Sequence, residues 1–298
     1  MTKPNFLVIG AAKSGTTSLH HYLKQHPKIR MCKVRETHFF SAGGTPFQLQ
    51  GPFERLTVQI VTNWKDYEKL FAGGEQFPAV GEVCPSYMQI PGTCRRIANA
   101  LHGVRLIVIL RHPTDRAYSD YQMRLGLGID DLTFEEALEA EPKRIAGGWY
   151  GGDYLRKGFY GKQLVDFYAT FPAHQIKAVL FEDLIQQPVE LLNKICNFLR
   201  IESLADFVLE QHNRSGRIAN PFLRLALERT NYIRGLVRPF LPNFVRQGVS
   251  NSINRARGKK IPMKAETRKR LDHLYRDDIM LCAELTGLDL AHWVDGSG

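Results

Sequence analysis

A short apolar run followed directly by a glycine-bearing turn and a helical pattern most limits how this chain can fold. Residues 5–9 indicate a buried strand, and residues 16–25 indicate a helix that ends before Pro27. The turn between them, residues 10–17, directs backbone N–H groups toward a bound anion, and the helix dipole adds to the attraction. This unit predicts either a phosphate-binding loop or an ordinary strand-to-helix turn with an N-capping hydroxyl.

The remaining pattern alternates strands with helices. Further strands are predicted at residues 79–83, 105–110 and 175–181, and the apolar run RLIVIL at 105–110 is typical of a central parallel strand. Helices are predicted at residues 64–71, 92–101, 113–125, from 133 onward, 154–171, 188–199 and 265–285. This alternation favours an α/β fold with a central parallel sheet flanked by helices. We expect one domain over residues 1–298, with a basic C-terminal extension at about 213–298 that is irregular as far as residue 262.

Positive charge is concentrated toward the C-terminus. The formal charge of the chain is +10, and residues 222–276 contain fourteen Lys and Arg against three acids. Such a segment can attract nucleic acid, anionic lipid or a polyanionic small molecule, and charge alone does not choose among them. The apolar side chains interleaved with these cations fit either a membrane-surface element or a helical cap over the core, and we favour the cap.

Cysteine content and hydropathy bear on the compartment. The five cysteines are odd in number and scattered without metal-ligand pairing, which favours a reducing cytoplasm. No stretch approaches ~18 uninterrupted apolar residues, so no transmembrane helix is predicted. We therefore expect a cytoplasmic protein, with peripheral contact to a membrane surface as an additional option.

The loop at residues 10–17 is close to a Walker A loop but differs in two informative ways. A Walker loop places lysine directly after its second glycine, whereas here Thr16 follows Gly15 and the lysine is the earlier Lys13. The strongest later strand ends at Arg111, where a P-loop enzyme needs an Asp to hold Mg²⁺. A sulfuryl group carries less negative charge than a phosphoryl group, so lysine and backbone donors can suffice without a metal. The loop therefore favours sulfuryl chemistry over a kinase.

A second anion site is predicted at the carboxyl end of the strand at 105–110. Arg111 ends this strand, and Ser119 lies two turns into the following helix. Ligands of open parallel sheets bind at this edge, where an arginine can hold a phosphate with two parallel bonds. The alternative is that Arg111 pairs with Asp115, and the sequence supports both equally.

Both loops together resemble the family of sulfotransferases that use 3′-phosphoadenosine-5′-phosphosulfate (PAPS). FLVIGAAKSGTTSLHHYL is similar to the family's 5′-phosphosulfate loop, and LIVILRHPTDRAYSDY is similar to its 3′-phosphate motif. Residues 35–40, RETHFF, resemble the E-x-H-F-F segment of the heparan sulfate sulfotransferase branch, and residues 82–87, EVCPSY, resemble its E-K-x-P-x-Y segment. The resemblance covers roughly residues 5–200, and 258–290 more loosely, and it implies a P-loop-like three-layer sandwich.

The resemblance also implies roles for particular residues. The 5′-phosphosulfate would be bound by Lys13, Ser14, Gly15, Thr16 and Thr17. The 3′-phosphate would be bound by Arg111 and Ser119, and a late basic loop with Gly258, Lys259 and Lys260 would close over the donor. The co-substrate would be PAPS, the product adenosine 3′,5′-bisphosphate, and no metal would be needed.

Two features depart from the family's pattern. Val83 stands where relatives carry the lysine of the E-K-x-P-x-Y segment, and Lys33 and Arg35 are the candidates to replace it. The relatives' C-terminal disulfide loop has no counterpart, because Cys282 is the sole cysteine beyond Cys196.

Transfer to a hydroxyl needs a group that removes its proton as the S–O bond forms. The resemblance makes Glu36 our first candidate for this base and His38 our second. If residues 36–40 are extended, Glu36 and His38 face the same side, because strand side chains alternate. The alternative is a surface Glu36 paired with Arg35, beside a packed His38.

The sequence therefore predicts an enzyme that moves a sulfuryl group from PAPS to an acceptor hydroxyl or amine by in-line single displacement. By the resemblance the acceptor is a carbohydrate or a glycolipid, and no nucleic-acid partner is expected. Two alternatives remain: a nucleotide kinase with a degenerate Walker loop, and a non-enzymatic polyanion-binding protein that uses residues 222–276.

Overall fold

A computed structural model describes residues 2–45, 60–127, 129–149, 152–204, 206–209 and 262–294. In these residues five strands form one parallel sheet in the order β2-β3-β1-β4-β5. This confirms the predicted α/β class and its parallel sheet. The strands are β1 (Phe6–Gly10), β2 (Ile29–Met31), β3 (Ala79–Val83), β4 (Arg105–Leu110) and β5 (Ile176–Leu180).

The described helices connect and cover these strands. The first six are α1 (Thr16–Leu23), α2 (Phe39–Ala42), α3 (Trp64–Lys69), α4 (Ser86–Gln89), α5 (Thr93–Ala100) and α6 (Pro113–Gly126). They are followed by α7 (Phe134–Ala146), α8 (Tyr160–Thr170), α9 (Phe181–Gln186), α10 (Pro188–Phe198), α11 (Ala265–Thr286) and α12 (Ala291–Val294).

Strand alternation divides the core into two apolar layers, one on each face of the sheet. Phe6 and Val8 of β1 belong to one layer, which packs against α1 and α10, whereas Leu7 and Ile9 belong to the other. The second layer packs against α5, α6, α8 and α11. Burial of each such side chain stabilises the fold by about 1.5–3 kcal/mol. The result is the expected three-layer sandwich, with helices on both faces of the sheet.

Most predicted elements lie where they were expected, but the helix predicted at 154–171 is divided. A 3₁₀ turn at Arg156–Gly158 precedes α8. Gly158 approaches Tyr275 so closely that a Cβ atom on it would lie 2.7 Å from the tyrosine ring. The Asp278 carboxylate then accepts from the N–H groups of Gly161 (2.8 Å) and Lys162 (2.9 Å). These bonds cap a new helix start at Tyr160. Similarly, the strand predicted at 175–181 ends earlier, and residue 181 begins α9.

The C-terminal helix α11 is held on the sandwich by polar bonds. Thr114 at the start of α6 donates to Asp272 of α11 at 2.6 Å. One turn earlier on α11, Arg268 pairs with Asp115, the residue that follows Thr114. Residues 265–286 are therefore part of the second layer, as the apolar contacts of α11 also show.

Other predictions concern cysteines, membrane spans and the basic extension. All five cysteines are free and buried. None of the described helices is long and apolar enough to cross a membrane. Residues 213–261, including the predicted basic loop, lie outside the described residues, so the irregular structure expected there stays a prediction.

Candidate active site

The turn between β1 and α1 leaves the first N–H groups of α1 without a side-chain cap, and we call this an open helix start. Lys13 and Gly15 both have left-handed backbone, with φ of 70° and 88°. Gly15 is the N-cap of α1, so no side chain at this position satisfies the first N–H groups of the helix. A Cβ atom on Gly15 would lie 2.8 Å from the ring of Phe181, which leaves no room for another residue. Thr16 and Thr17 follow in the first turn, next to these N–H groups.

The side chain of Lys13 extends toward α6. Its Nζ lies 3.1 Å from Sδ of Met123, which is one turn beyond Ser119 on the same helix. Burial lowers the pKa of Lys13, the nearby cations Arg124 and Arg111 lower it further, and Asp120 opposes them. Lys13 therefore reaches α6 one turn beyond Ser119.

Arg111 leaves β4 beside the same turn. Its Nη1 donates to the Lys13 carbonyl oxygen at 3.4 Å, and its guanidinium carbon lies 4.9 Å from the centre of the Phe181 ring. Burial lowers the pKa of Arg111, although acidic neighbours raise it. Asp115 pairs with Arg268, so the alternative of an Arg111–Asp115 ion pair is not what the structure contains.

Neither Lys13 nor Arg111 forms an ion pair within the described part of the chain, although acidic groups farther away act on both. Two partly buried cations that repel each other beside an open helix start make a strong anion site. A bound anion would offset both desolvation and repulsion.

Tyr160 supports both anion motifs. From the sequence alone, the segment Gly158-Phe159-Tyr160 fits a lining of the acceptor cleft and simple packing equally well. The Tyr160 hydroxyl donates to the Arg111 carbonyl oxygen at 2.9 Å and lies against the Ser14 side chain. Its contacts here show packing under the site.

A buried ionic cluster lies behind Lys13. The fully buried carboxylate of Asp120 contacts Arg124 at 3.0 Å, and Arg116 and Lys157 at 3.4 Å each. Burial alone would raise the pKa of Asp120, but these cations hold it well below its usual range. Two cations of this cluster, Arg116 and Arg124, also act on Lys13 and lower its pKa.

Glu36 lies on the other side of Lys13. Its side chain keeps exposed surface, yet burial raises the pKa of its carboxyl group, while Arg35 and Lys13 lower it. Because the charge of Lys13 acts on the Glu36 carboxyl group, the two side chains lie near each other. We call the space between Lys13 and Glu36 the transfer cleft.

The expectation that residues 36–40 are extended is wrong. Glu36 and His38 have left-handed backbone, with φ of 56° and 57°, and α2 begins directly after them. Strand alternation therefore does not apply, and the two side chains have different surroundings. His38 is buried, with Nδ1 2.9 Å from Ser86 Oγ and 3.9 Å from Cys84 Sγ. Burial lowers the pKa of His38 to about 4, so its imidazole is neutral near pH 7.

The segment at 82–87 contains a residue that sequence reasoning did not single out. Glu82 is fully buried in β3, where three hydroxyl groups surround it. Its signal was a lone acid in the apolar strand AVGEV. Val83, at the position of the relatives' lysine, is buried in the first apolar layer. Of the two proposed replacements, Arg35 is the one whose charge acts on Glu36.

The predicted site residues thus fall into three groups. One group lies at the carboxyl edge of β1 and β4, comprising Lys13, Ser14, Gly15, Thr16, Thr17 and Arg111. Ser119 lies on α6, one turn before the Met123 that Lys13 contacts. Glu36 approaches the first group from the segment after β2, and His38 lies in the core. Gly258, Lys259 and Lys260 lie outside the described residues. Within the described ranges, no three His, Cys, Asp or Glu side chains are grouped so that they could hold a metal ion.

Curated proteins similar to this chain include two eukaryotic sulfotransferases. The human heparan sulfate glucosamine 3-O-sulfotransferase 3B1 is 28% identical over 205 residues, which covers 67% of this chain and 47% of that protein. The membrane-associated sulfotransferase kil1 of Dictyostelium discoideum is 32% identical over 122 residues, covering 41% of this chain and 23% of that protein. The chain therefore spans less than half the length of these relatives.

A solved structure and a family model cover more of the chain. A sulfotransferase from Alicyclobacillus acidocaldarius has a TM-score of 0.76 with 27% identity, and the match covers 98% of this chain and 99% of that one. The model described as "Sulfotransferase family" matches residues 4–206, which include both anion motifs, Glu36 and Glu82. The chain belongs to the sulfotransferase family.

Proposed function

We propose that this protein transfers a sulfuryl group from PAPS to a hydroxyl or amine of an acceptor. The observation that carries the proposal is the meeting of Lys13 and Arg111 beside the open start of α1, with Glu36 facing the same cleft as Lys13. The family assignment supports sulfuryl chemistry over the alternative of a kinase.

The residues present fit both ends of the donor. The 5′-phosphosulfate is a multiply charged anion that suits Lys13, the first N–H groups of α1 and the hydroxyls of Thr16 and Thr17. The 3′-phosphate suits Arg111, whose guanidinium is ordered by Phe181, together with Ser119. We further propose that the basic extension, with Gly258, Lys259 and Lys260, closes over this donor.

The transfer step follows from the two charges in the cleft. The acceptor oxygen attacks sulfur in line as the bond from sulfur to the bridging oxygen breaks, and that electron pair leaves on the phosphate of adenosine 3′,5′-bisphosphate. Lys13 stabilises the charge that develops on the leaving oxygen. Glu36 takes the proton of the acceptor hydroxyl and then releases it to water. The raised pKa of Glu36 makes it a better proton acceptor than an ordinary glutamate near neutral pH.

The acceptor class rests on the relatives. One is named as a heparan sulfate glucosamine 3-O-sulfotransferase, so we propose a carbohydrate or glycolipid acceptor. Another is named as membrane-associated, which agrees with a peripheral contact to a membrane surface for this chain. A cytoplasmic location and the absence of a nucleic-acid partner stay predictions.

Nucleotide binding tests the donor assignment without knowledge of the acceptor. Calorimetry in EDTA should show binding of adenosine 3′,5′-bisphosphate that is tighter than binding of AMP, because AMP lacks the group that Arg111 holds. A preference for Mg²⁺-ATP over adenosine 3′,5′-bisphosphate would instead favour the kinase. Binding of heparin without binding of either nucleotide would favour a polyanion-binding protein.

A further inference from the structure

Glu82 is a fully buried carboxyl group that the proposed transfer does not use directly. Three hydroxyl groups donate to it: Thr37 Oγ1 and Tyr87 Oη to Oε1 at 2.5 and 3.0 Å, and Tyr67 Oη to Oε2 at 2.6 Å. The donors come from α3, from α4 and from the segment that carries Glu36. We call Glu82, Thr37, Tyr67 and Tyr87 the hydroxyl cage.

The cage gives both oxygens of the buried carboxyl group hydrogen-bond partners. Burial raises the pKa of Glu82, and the three hydroxyl bonds offset this rise only in part. Loss of one hydroxyl would leave a buried carboxyl oxygen with fewer partners, so the cage favours one arrangement of its members.

Thr37 joins the cage to Glu36. The Glu36 N–H donates to the Val83 carbonyl oxygen at 2.9 Å, while the Thr37 hydroxyl bonds to Glu82. The consecutive residues Glu36 and Thr37 are therefore bonded to the consecutive residues Val83 and Glu82 of β3. The Thr37 carbonyl oxygen also accepts from the Val61 N–H at 2.9 Å. Residues 36 and 37 are fixed from both sides.

The backbone of Glu36 needs such support. Its φ of 56° lies in the left-handed region, which costs free energy for a residue other than glycine. Such a conformation persists where the surrounding bonds impose it. The Thr37 hydroxyl also accepts from the Phe39 N–H at 3.3 Å, which extends the same support to the start of α2.

We infer that Glu82 is a positioning residue for sulfuryl transfer: through Thr37, the hydroxyl cage holds Glu36 so that its carboxylate faces the transfer cleft beside Lys13. The inference rests on the proposed role of Glu36 as the base. It adds a group that touches neither donor nor acceptor and acts on the turnover step alone.

The most informative variant is Thr37→Val, which keeps the side-chain shape and removes one donor. We expect kcat to fall about 10–100-fold, because a displacement of roughly 1 Å at a reacting group has an effect of this size. The affinity for adenosine 3′,5′-bisphosphate and the KM for PAPS should stay within about 2-fold of wild type, since the donor residues lie elsewhere. Thr37→Ser restores the hydroxyl and should restore most of kcat.

Two further variants separate positioning from folding. Tyr67→Phe removes a donor from the opposite carboxylate oxygen and should lower kcat in the same way. Thr267→Val is the matched control, because the buried Thr267 also donates to a carboxylate, that of Glu135 at 2.6 Å. It should leave kcat unchanged. The assays measure transfer of ³⁵S from PAPS to heparosan, an unsulfated glycosaminoglycan, or to p-nitrophenol where heparosan is not accepted.

A readout independent of activity is the titration of Glu36 by NMR in protein with ¹³C-labelled glutamate side chains. Arg35, Lys13 and the Cys84 thiol face this carboxyl group, and none is altered in the variants. In wild type the Glu36 midpoint should lie above the ordinary value of about 4.3. In Thr37→Val the Glu36 midpoint should fall toward this ordinary value, because the Glu36 carboxyl group leaves the transfer cleft and is again hydrated.

The outcomes distinguish this inference from the proposed function. A folded Thr37→Val protein with wild-type kcat and an unmoved Glu36 midpoint overturns the positioning role. Equal losses in nucleotide affinity and kcat also overturn it, since they indicate general disruption. A fully active Glu36→Gln variant refutes Glu36 as base, whereas an inactive Glu36→Gln with an active Thr37→Val refutes the cage alone.

Discussion

Three charged side chains define the site at the scale of single residues. Lys13 follows β1 and Arg111 follows β4. The Arg111 guanidinium contacts the Lys13 backbone, and each cation lies in the electrostatic field of the other. Glu36 reaches the same cleft with a pKa raised by burial. The arrangement separates the task of charge stabilisation from that of proton removal.

Replacement of Lys13 should remove most turnover. We expect Lys13→Ala to lower kcat on the order of 10²-fold or more, because the ammonium group meets charge that develops in the transition state. Lys24→Ala, an exposed position at the end of α1, is the control and should be fully active. Near-normal turnover of a folded Lys13→Ala protein would refute the role of this loop.

Replacement of Arg111 should act on donor selectivity. Arg111→Ala should weaken binding of adenosine 3′,5′-bisphosphate by roughly 30–150-fold, as expected for a charge-assisted contact of about 2–3 kcal/mol, and leave AMP binding nearly unchanged. Calorimetry measures both ligands. Arg105→Ala, at the other end of β4, is the control. Equal losses for the two ligands would remove Arg111 from the 3′-phosphate site.

The pH profile should separate Glu36 from His38. A base must be deprotonated, so kcat should fall as pH decreases through the raised pKa of Glu36, at a higher pH than for an ordinary glutamate. The pKa of His38, about 4, predicts no limb near 6.5 from the imidazole. Glu36→Gln should lose roughly 10²–10⁴-fold in kcat and His38→Ala should lose less. The reverse order would assign the base to the imidazole.

At the scale of elements, much of the fold could be predicted from the sequence. The strands β3 and β4 have the predicted bounds, and α7 begins at Phe134, with Thr133 as the N-cap and Glu136 as its partner in a capping box. These elements depend on local signals: an uninterrupted apolar run, and a hydroxyl followed three residues later by a glutamate. The loop of residues 10–17 could also be predicted, because a local signal marks it: an apolar run followed by a glycine-bearing turn.

Other elements depend on partners distant in sequence. The left-handed turns at Glu36 and His38 are supported by hydrogen bonds to β3 and to Val61. No local sequence pattern predicts a left-handed backbone at residues other than glycine. The hydroxyl cage likewise joins Glu82 to hydroxyls at positions 37, 67 and 87. Periodicity could not reveal that these groups meet, because it describes one element at a time.

The start of α8 offers a prediction at this scale. Asp278 of α11 accepts from two N–H groups at this start, so Asp278→Ala should lower the free energy of unfolding by about 1–2 kcal/mol, the usual cost of a lost cap. Chemical denaturation measures the change. Asp277→Ala removes an exposed neighbouring acid and should have almost no effect. Equal stability of the two variants would show that this cap contributes nothing.

At the scale of the whole molecule, the parallel sheet accounts for the site. The carboxyl ends of β1 and β4 are neighbours in the sheet, and they deliver Lys13 and Arg111 to one edge, while β3 supports Glu36 from the next position. Helix α11 completes the second apolar layer and pairs Arg268 with Asp115 near Arg111. Residues far apart in the chain thus serve one transfer.

The most direct test of this account is a single-turnover experiment with [³⁵S]PAPS in EDTA. The wild-type protein, mixed with heparosan, a neutral glycolipid or a cell extract, should move the label to an acceptor and form one adenosine 3′,5′-bisphosphate for each label transferred. Glu36→Gln should bind donor but move little label, and Lys13→Ala should move little label even when the donor is in excess. Binding of PAPS without transfer to any acceptor, or transfer of ³²P from [γ-³²P]ATP in the presence of Mg²⁺, would contradict the account.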